Sequence, residues 1–311
     1  MTKNSEFGFI EQIKSLFLNL GDENIEGIGD DCAIIPVSED ESFVITTDIL
    51  VEDVHFLISA ISAYELGRKS LAVNLSDVAS MGSRAVASML SIAVSSELRG
   101  EWLSEFMRGY HSLSLEHNVK LIGGDTSSSK GKIAINVVAI GRVENKNIKK
   151  RSAAKVGDGI YVVGKLGESA KGLQDILHGD NTSYLAKIHN TPRAQLLEGE
   201  YLGGCSEVNA MIDLSDGLAS DLGHILELSG VDARVDLDAV PTDFDYQTAV
   251  CGGEDYKLLF TSKDEKFMEN YKGEQIYKIG EIIAKKDTNP KIHWILNGCK
   301  TENDWKGFTH F

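Results

Sequence analysis

Short β-branched runs and amphipathic stretches alternate along the first half of the chain. Phe43-Val44-Ile45-Thr46 reads as a strand that ends at Asp48. Ser62-Ala63-Tyr64-Glu65 has the form of a capping box and opens a helix to about Met81. Leu71, Leu75, Val78 and Gly82 share one face of that helix. Ser70, Asn74, Asp77 and Met81 form a second stripe, which turns Asn74 and Asp77 into one cleft. A buried strand over residues 86–94 comes next, then a helix with Leu103, Phe106, Met107, Tyr110 and Leu113 on one side. Residues 119–122 read as a strand stopping at the Gly123-Gly124-Asp125 turn. Residues 132–142 read as another, with Ile133, Ile135, Val137 and Ala139 on one face.

The charged stretch from Glu144 to Arg151 shifts the composition and marks a domain boundary, with residues 1–148 before it and 149–311 after. Beyond it, residues 159–163 form a strand and residues 168–177 a short amphipathic helix. Thr191-Pro192 pairs an N-cap residue with proline at a first helical position. Residues 208–212 read as a strand ending at Asp213. A helix over about 218–228 buries Leu218, Leu222, Ile225 and Leu226 and stops at Ser229-Gly230. Residues 256–261 and 276–283 are further strands. This succession predicts two α/β or α+β domains. Asn74-Leu75-Ser76-Asp77 is echoed by Asp213-Leu214-Ser215-Asp216, but chance explains four matching positions, and no solenoid-length repeat is present.

Charge changes the picture next. Acidic residues outnumber basic ones by 47 to 31, a formal charge of -16, which argues against nucleic acid as a partner. The first six residues carry no apolar leader, and the longest uncharged stretches are too short to span a bilayer. Cys32, Cys205, Cys251 and Cys299 are scattered without a CxxC pair, the pattern of reduced thiols in a cytoplasmic protein.

The chemistry lies in recurring acids beside small residues: Gly29-Asp30-Asp31, Thr46-Thr47-Asp48, Asn74-Leu75-Ser76-Asp77, Gly123-Gly124-Asp125-Thr126, Asp213-Leu214-Ser215-Asp216-Gly217 and Gly252-Gly253-Glu254-Asp255. Aspartate and glycine at a strand end are ordinary turn chemistry taken singly; the recurrence is not. Carboxylates gathered in one cleft repel, by roughly 4 kcal/mol for two about 4 Å apart at an effective dielectric near 20. Such a cluster calls for cations, and hard oxygen ligands favour Mg²⁺, Ca²⁺ or Mn²⁺ over zinc. Glycines such as Gly124 and Gly217 let backbone N–H groups approach phosphate oxygens. There is no GxxxxGK[ST] and no protein-kinase motif set, so a nucleotide site here belongs to another class. Asp53-Val54-His55 opens like a dimetal phosphatase motif whose later parts are absent. His55 otherwise reads as a structural donor more readily than as a catalyst. Arg151 is a phosphate clamp or a solvated linker cation. The aromatic tail holding Trp305 and Phe308 packs either on the body or around a cationic or planar ligand.

Taken together, these motifs, with Val54-His55-Phe56 and the closing Trp305-Lys306-Gly307-Phe308, strongly resemble the thiamine-monophosphate kinase family, nearly end to end and in order. The wider superfamily includes aminoimidazole ribonucleotide synthetase and selenophosphate synthetase. The resemblance implies a two-domain synthetase-like ATP-binding fold that forms a homodimer through its N-terminal half. It implies several Mg²⁺ ions and the conversion of ATP and thiamine monophosphate to ADP and thiamine diphosphate. It assigns Asp31, Thr46, Thr47, Asp48, Asp77, Asp125, Asp213 and Asp216 to metal, and Gly124, Asp125, Arg151 and Ser215 to ATP. His55, Glu254 and Phe308 go to the thiamine phosphate. Asp53 stands where the family pattern leads one to expect glycine or a small residue. The acceptor, a phosphate oxygen already ionised, needs no strong general base. A metal-dependent phosphohydrolase and an ATP-binding assembly protein without turnover are the two alternatives from other classes.

Overall fold

The architecture comes from a computed structural model that describes residues 6–17, 20, 24–264, 270–301, 303 and 305–308. Its first sheet has the order β1-β2-β5-β3-β4, from β1 (Ala33–Pro36), β2 (Glu41–Val51), β3 (Arg84–Val94), β4 (Lys120–Ser128) and β5 (Ala134–Glu144). Helices α1 (Glu6–Phe17), α2 (Ala63–Ser80) and α3 (Glu101–His117) belong to this half. β2 and β5 pair antiparallel along their full length, from Glu41 opposite Glu144 to Val51 opposite Ala134. β4 is an edge strand parallel to β3, and every one of its residues is exposed.

In the second half come β6 (Gly159–Val163), α4 (Glu168–Leu177), α5 (Tyr184–Asn190), α6 (Leu196–Gly204) and β7 (Val208–Asp213). They are followed by α7 (Leu218–Ser229), β8 (Asp232–Asp236), α8 (Tyr246–Cys251), β9 (Leu258–Ser262), β10 (Asn270–Tyr271), β11 (Glu274–Ile283), β12 (Ile292–Leu296) and β13 (Cys299–Lys300). The order in the second sheet is β13-β12-β8-β11-β6-β9-β7, with β10 on β11, and neither sheet closes. Among the described residues no helix is long and apolar enough to cross a membrane.

The helix that organises the site is α2. Its capping box forms as its letters require: the Ser62 hydroxyl accepts from Glu65 N and the Glu65 carboxylate accepts from Ser62 N. Leu71, Leu75 and Val78 are fully buried. α3 crosses it where side chains are missing, since a Cβ on Gly67 would sit 2.1 Å from Phe106 O and one on Gly109 1.9 Å from Tyr64 O. On β5, Ile133 just before it and Ile135, Val137 and Ala139 within it are buried, as their alternation predicts. The same apolar cluster takes in Tyr161, Met211, Leu258 and Phe260, so α2 is packed between the two sheets.

Three expectations fail. Asp48 lies inside β2 and Asp125 inside β4, not at strand ends, because each strand is held by a neighbour that continues past the acid; pairing overrides the low strand preference of Asp and Gly. Thr191 closes α5, its N–H bonding to Lys187 O, and Pro192 lies in the link before α6 instead of opening a helix. The echo is coincidence, as expected: Asn74-Leu75-Ser76-Asp77 is helical while Asp213-Leu214-Ser215-Asp216 leaves a strand. α1, α5, α6, α8, β1, β8 and β12 had no distinct sequence signal, several being short or lacking a regular period.

Candidate active site

One carboxylate oxygen from each of Asp31, Asp77 and Asp213 lies within 4.8 Å of the others. These residues come from the turn before β1, from α2 and from the end of β7, so the site exists only where the two halves meet. Each acid is braced by a hydroxyl. Ser80 donates to Asp31 (2.6 Å), Thr46 to Asp77, and Ser76 to Asp213. Asn74 accepts the Asp48 backbone N–H at 2.9 Å, which fixes β2 against α2 at the residue that matters. The odd and even positions of β2 separate the Thr46-Thr47-Asp48 triplet. Thr46 and Asp48 face α2, while the Thr47 hydroxyl points to the other face, donating to Val137 O and accepting from Asn136.

The electrostatics follow from burial and crowding. Burial, then Asp48, Asp213 and Asp31, pushes the Asp77 carboxyl well above its ordinary range. Burial and Asp31 raise Asp213 to about 8, against the opposing pull of Ser76 and Arg151. Asp48 rises to about 6 through burial, Asp31 and Asp216. Asp30 rises to about 7 through burial and Asp31. Its carboxylate accepts the backbone N–H of Arg151 at 3.1 Å and that of Asp31 at 3.1 Å, so Asp30 holds the loop and Asp31 faces the cluster. Arg151 reaches in from a short 3₁₀ turn, with Nε 3.1 Å from Asp31 and Nη2 paired to the same oxygen.

Asp216, Asp221 and His224 form a second group with atoms within 4.8 Å. Asp221 caps the backbone N–H groups of Asp216 and Gly217 at the start of α7. Gly124 and Asp125 lie on the exposed edge strand, where Asp125 accepts from Thr126 N. A Cβ on Gly124 would stand 1.7 Å from Leu90 O, so only glycine lets β4 approach β3 there. Asp125 is therefore not among the three acids brought into mutual contact.

A third region gathers His55, Glu254 and the tail. Asp53 takes φ 66 and His55 Nδ1 accepts the Val51 N–H, so the expected small residue is replaced by an aspartate in the left-handed conformation. Glu254 (φ 61) and Tyr256 (φ 49) are also left-handed and are held by bonds to Ser215 O and Leu214 O. The Glu254 carboxylate lies 3.3 Å from Lys69 and 3.4 Å from His189. A cavity of about 640 Å³ borders Glu254 and Asp255 and is lined by Tyr184, Lys187, Lys257 and Tyr277 among others; none of the clustered aspartates lines it. The two tail rings part company. Trp305 packs edge-on against Trp294 with centroids 5.1 Å apart, whereas Phe308 is 53% exposed with its N–H on Asp216 O. Asp304 and residues 309–311 lie outside the described residues.

Ser76, Ser80, Lys69 and His189 were missed by sequence reasoning. The available signal was a set of polar residues at 69, 76 and 80, on the spacing of a face that the rest of the helix buries.

Models of two domains match the chain: the AIR synthase related protein N-terminal domain over residues 29–143 and the corresponding C-terminal domain over residues 155–293. A thiamine-monophosphate kinase of Salmonella typhimurium is 36% identical over 308 residues, covering 92% of this chain and 91% of that protein. One from Haemophilus influenzae is 40% identical over 276 residues, covering 83% and 82%. The solved structure of AaThiL complexed with AMPPCP and TMP superposes with a TM-score of 0.85 at 28% identity, covering 100% of this chain and 98% of the other.

Proposed function

This chain belongs to the thiamine-monophosphate kinase family of AIR synthase related proteins, and from that premise we propose that it transfers the γ-phosphate of ATP to thiamine monophosphate, yielding thiamine diphosphate and ADP. The observation that carries the reading is the Asp31–Asp77–Asp213 group: two buried acids and one half-buried one with their carboxyls crowded on one another. The burial and raised pKa values of Asp77 and Asp213 are what an anionic nest without its counter-ions must show. All donors are hard oxygens, which fits Mg²⁺.

Asp31, Asp48, Asp77 and Asp213 would hold the ions, with Thr46, Asp125 and Asp216 extending the set as the phosphates arrive; Thr47, whose hydroxyl points to the other face of β2, could join only through its backbone. Bound Mg²⁺ would neutralise the phosphate oxygens and remove the repulsion between two anionic substrates. The residues of this chain do the rest. Ser76, Ser80 and Thr46 hold the acids in one orientation. Gly124 and Ser215 offer backbone close to where phosphate would lie, and Arg151 supplies a guanidinium already aimed at the cluster. We place the acceptor's organic part on the side of His55, Glu254 and Phe308. The neighbouring cavity is of the size that small-molecule sites take, roughly 300–1,000 Å³.

We assign residues 1–148 and 149–311 to the two domains and place the protein in the cytoplasm, in keeping with four free cysteines. A homodimer is supported by the outer face of the first sheet, where Phe43, Ile45, Ile49, Met89, Val138 and Ile140 are half-buried or exposed beside the open edge of β4. Sedimentation of the Ile49→Glu variant at half the wild-type mass would support that surface; a wild-type protein that sediments as a monomer removes it.

The activity is tested by incubating the protein with ATP and Mg²⁺, with and without thiamine monophosphate. Thiamine diphosphate should appear one for one with ADP, and ADP should be scarce without acceptor. Phosphate release that ignores the acceptor would mark a phosphohydrolase, and ATP binding without turnover an assembly protein.

A further inference from the structure

Lys69 has no exposed surface, sits on α2, and belongs to none of the metal or nucleotide roles assigned above. A buried ammonium has three donors to satisfy and is costly unless it is paired. Its partners are both oxygens of Glu254, at 3.3 and 3.4 Å, and the His55 carbonyl at 3.5 Å. One side chain thus touches two of the three residues that the proposed function places around the acceptor. Glu254 sits on a strained left-handed backbone, in a loop tied to the cluster through Ser215 and Leu214. His189 packs beside the same carboxylate from α5, with Nδ1 3.4 Å from Glu254 and hydrogen-bonded to Ser169 Oγ at 3.0 Å. Its ring is kept neutral by burial and by Lys69, at a pKa of about 4. Along α2, Lys69 lies roughly two turns before Asp77, about 12 Å on the helix axis. The same rigid helix therefore carries a phosphate-side anchor at one level and a Glu254 anchor at the other.

We propose that Lys69 is a positioning residue for the acceptor: it orients the Glu254 carboxylate and thereby sets the spacing between the thiamine end of the substrate and the carboxylate cluster. The inference rests on Glu254 touching the acceptor. It differs from plain structural support, which would weaken both substrates alike.

The test compares steady-state kinetics of the wild type, Lys69→Met, Glu254→Gln and the double variant, all with Mg²⁺. Lys69→Met and Glu254→Gln should each raise KM for thiamine monophosphate by roughly tenfold or more, the size of losing a charged hydrogen bond. KM for ATP should stay within about twofold, and the double variant should be no worse than Glu254→Gln, because the two act through one contact. A normal KM for the acceptor in Lys69→Met, with Glu254→Gln impaired, overturns the proposal alone. So does a double variant in which the two losses multiply. A normal acceptor KM in Glu254→Gln removes Glu254 from the acceptor and the proposal with it. Should Lys69→Met fail to fold, the double variant carries no unpaired buried charge, and its acceptor KM decides: equal to that of Glu254→Gln supports, clearly higher overturns.

Discussion

Asp77 is held by three demands at once. Its backbone is in the last turn of α2, its carboxylate accepts from Thr46, and its charge faces Asp48, Asp213 and Asp31. Replacing Asp77 or Asp48 with Asn keeps the shape and removes one charge from the nest. Turnover should fall by roughly 100-fold or more, by analogy with a lost electrostatic group in other sites. The metal-free protein should melt at a higher temperature than the wild type, since repulsion is relieved. Near-normal kcat for both variants in saturating Mg²⁺ would take these residues out of the metal site.

Two elements show how pattern becomes a site. In α2 the capping box and the apolar face are local matters, and both stand as written in the letters. The buried polar residues Lys69, Ser76 and Ser80 on the same helix mean nothing until the Glu254 loop, β7 and the Asp31 turn arrive against them. The C-terminal segment teaches the converse lesson. Its rings look alike in sequence, yet Trp305 joins the core beside Trp294 while Phe308 stays outside. Phe308→Ala should therefore raise KM for thiamine monophosphate about 2- to 30-fold, the worth of a cation–π contact of about 0.5–2 kcal/mol, and leave both KM for ATP and the melting temperature nearly unchanged. An unmoved acceptor KM would leave His55 and Glu254 alone at that end.

At the scale of the whole molecule the acid cluster makes stability depend on pH. The folded-state pKa of Asp213 is about 8 and that of Asp48 about 6, both raised from 3.8. Between pH 4 and 8 the folded protein thus holds protons that the unfolded chain has released, so stability falls as pH rises. Without metal, the melting temperature should be several degrees higher near pH 5 than near pH 8. On the proposed reading Mg²⁺ would replace those protons, so its stabilising effect should be larger at pH 8, and larger again with ATP present. A melting curve indifferent to both pH and millimolar Mg²⁺ would mean that the acids do not share one site.

The sequence by itself determined the local elements: the α2 capping box, the alternation ending β5, the β7 strand running into Asp213, the Gly230 stop of α7, and the order of acidic turns that carries the family resemblance. Periodicity and caps act over a few residues, and a few residues of sequence are enough to encode them. Only the tertiary structure decided that Asp48 and Asp125 lie within strands, because a strand's end is set by how far its neighbour runs. It also decided which acids meet. Asp31, Asp77 and Asp213 are far apart in the chain, and their contact depends on α2 being buried between two sheets. Charge repulsion alone would scatter them; the free energy that holds them together comes from apolar packing elsewhere on the same helix.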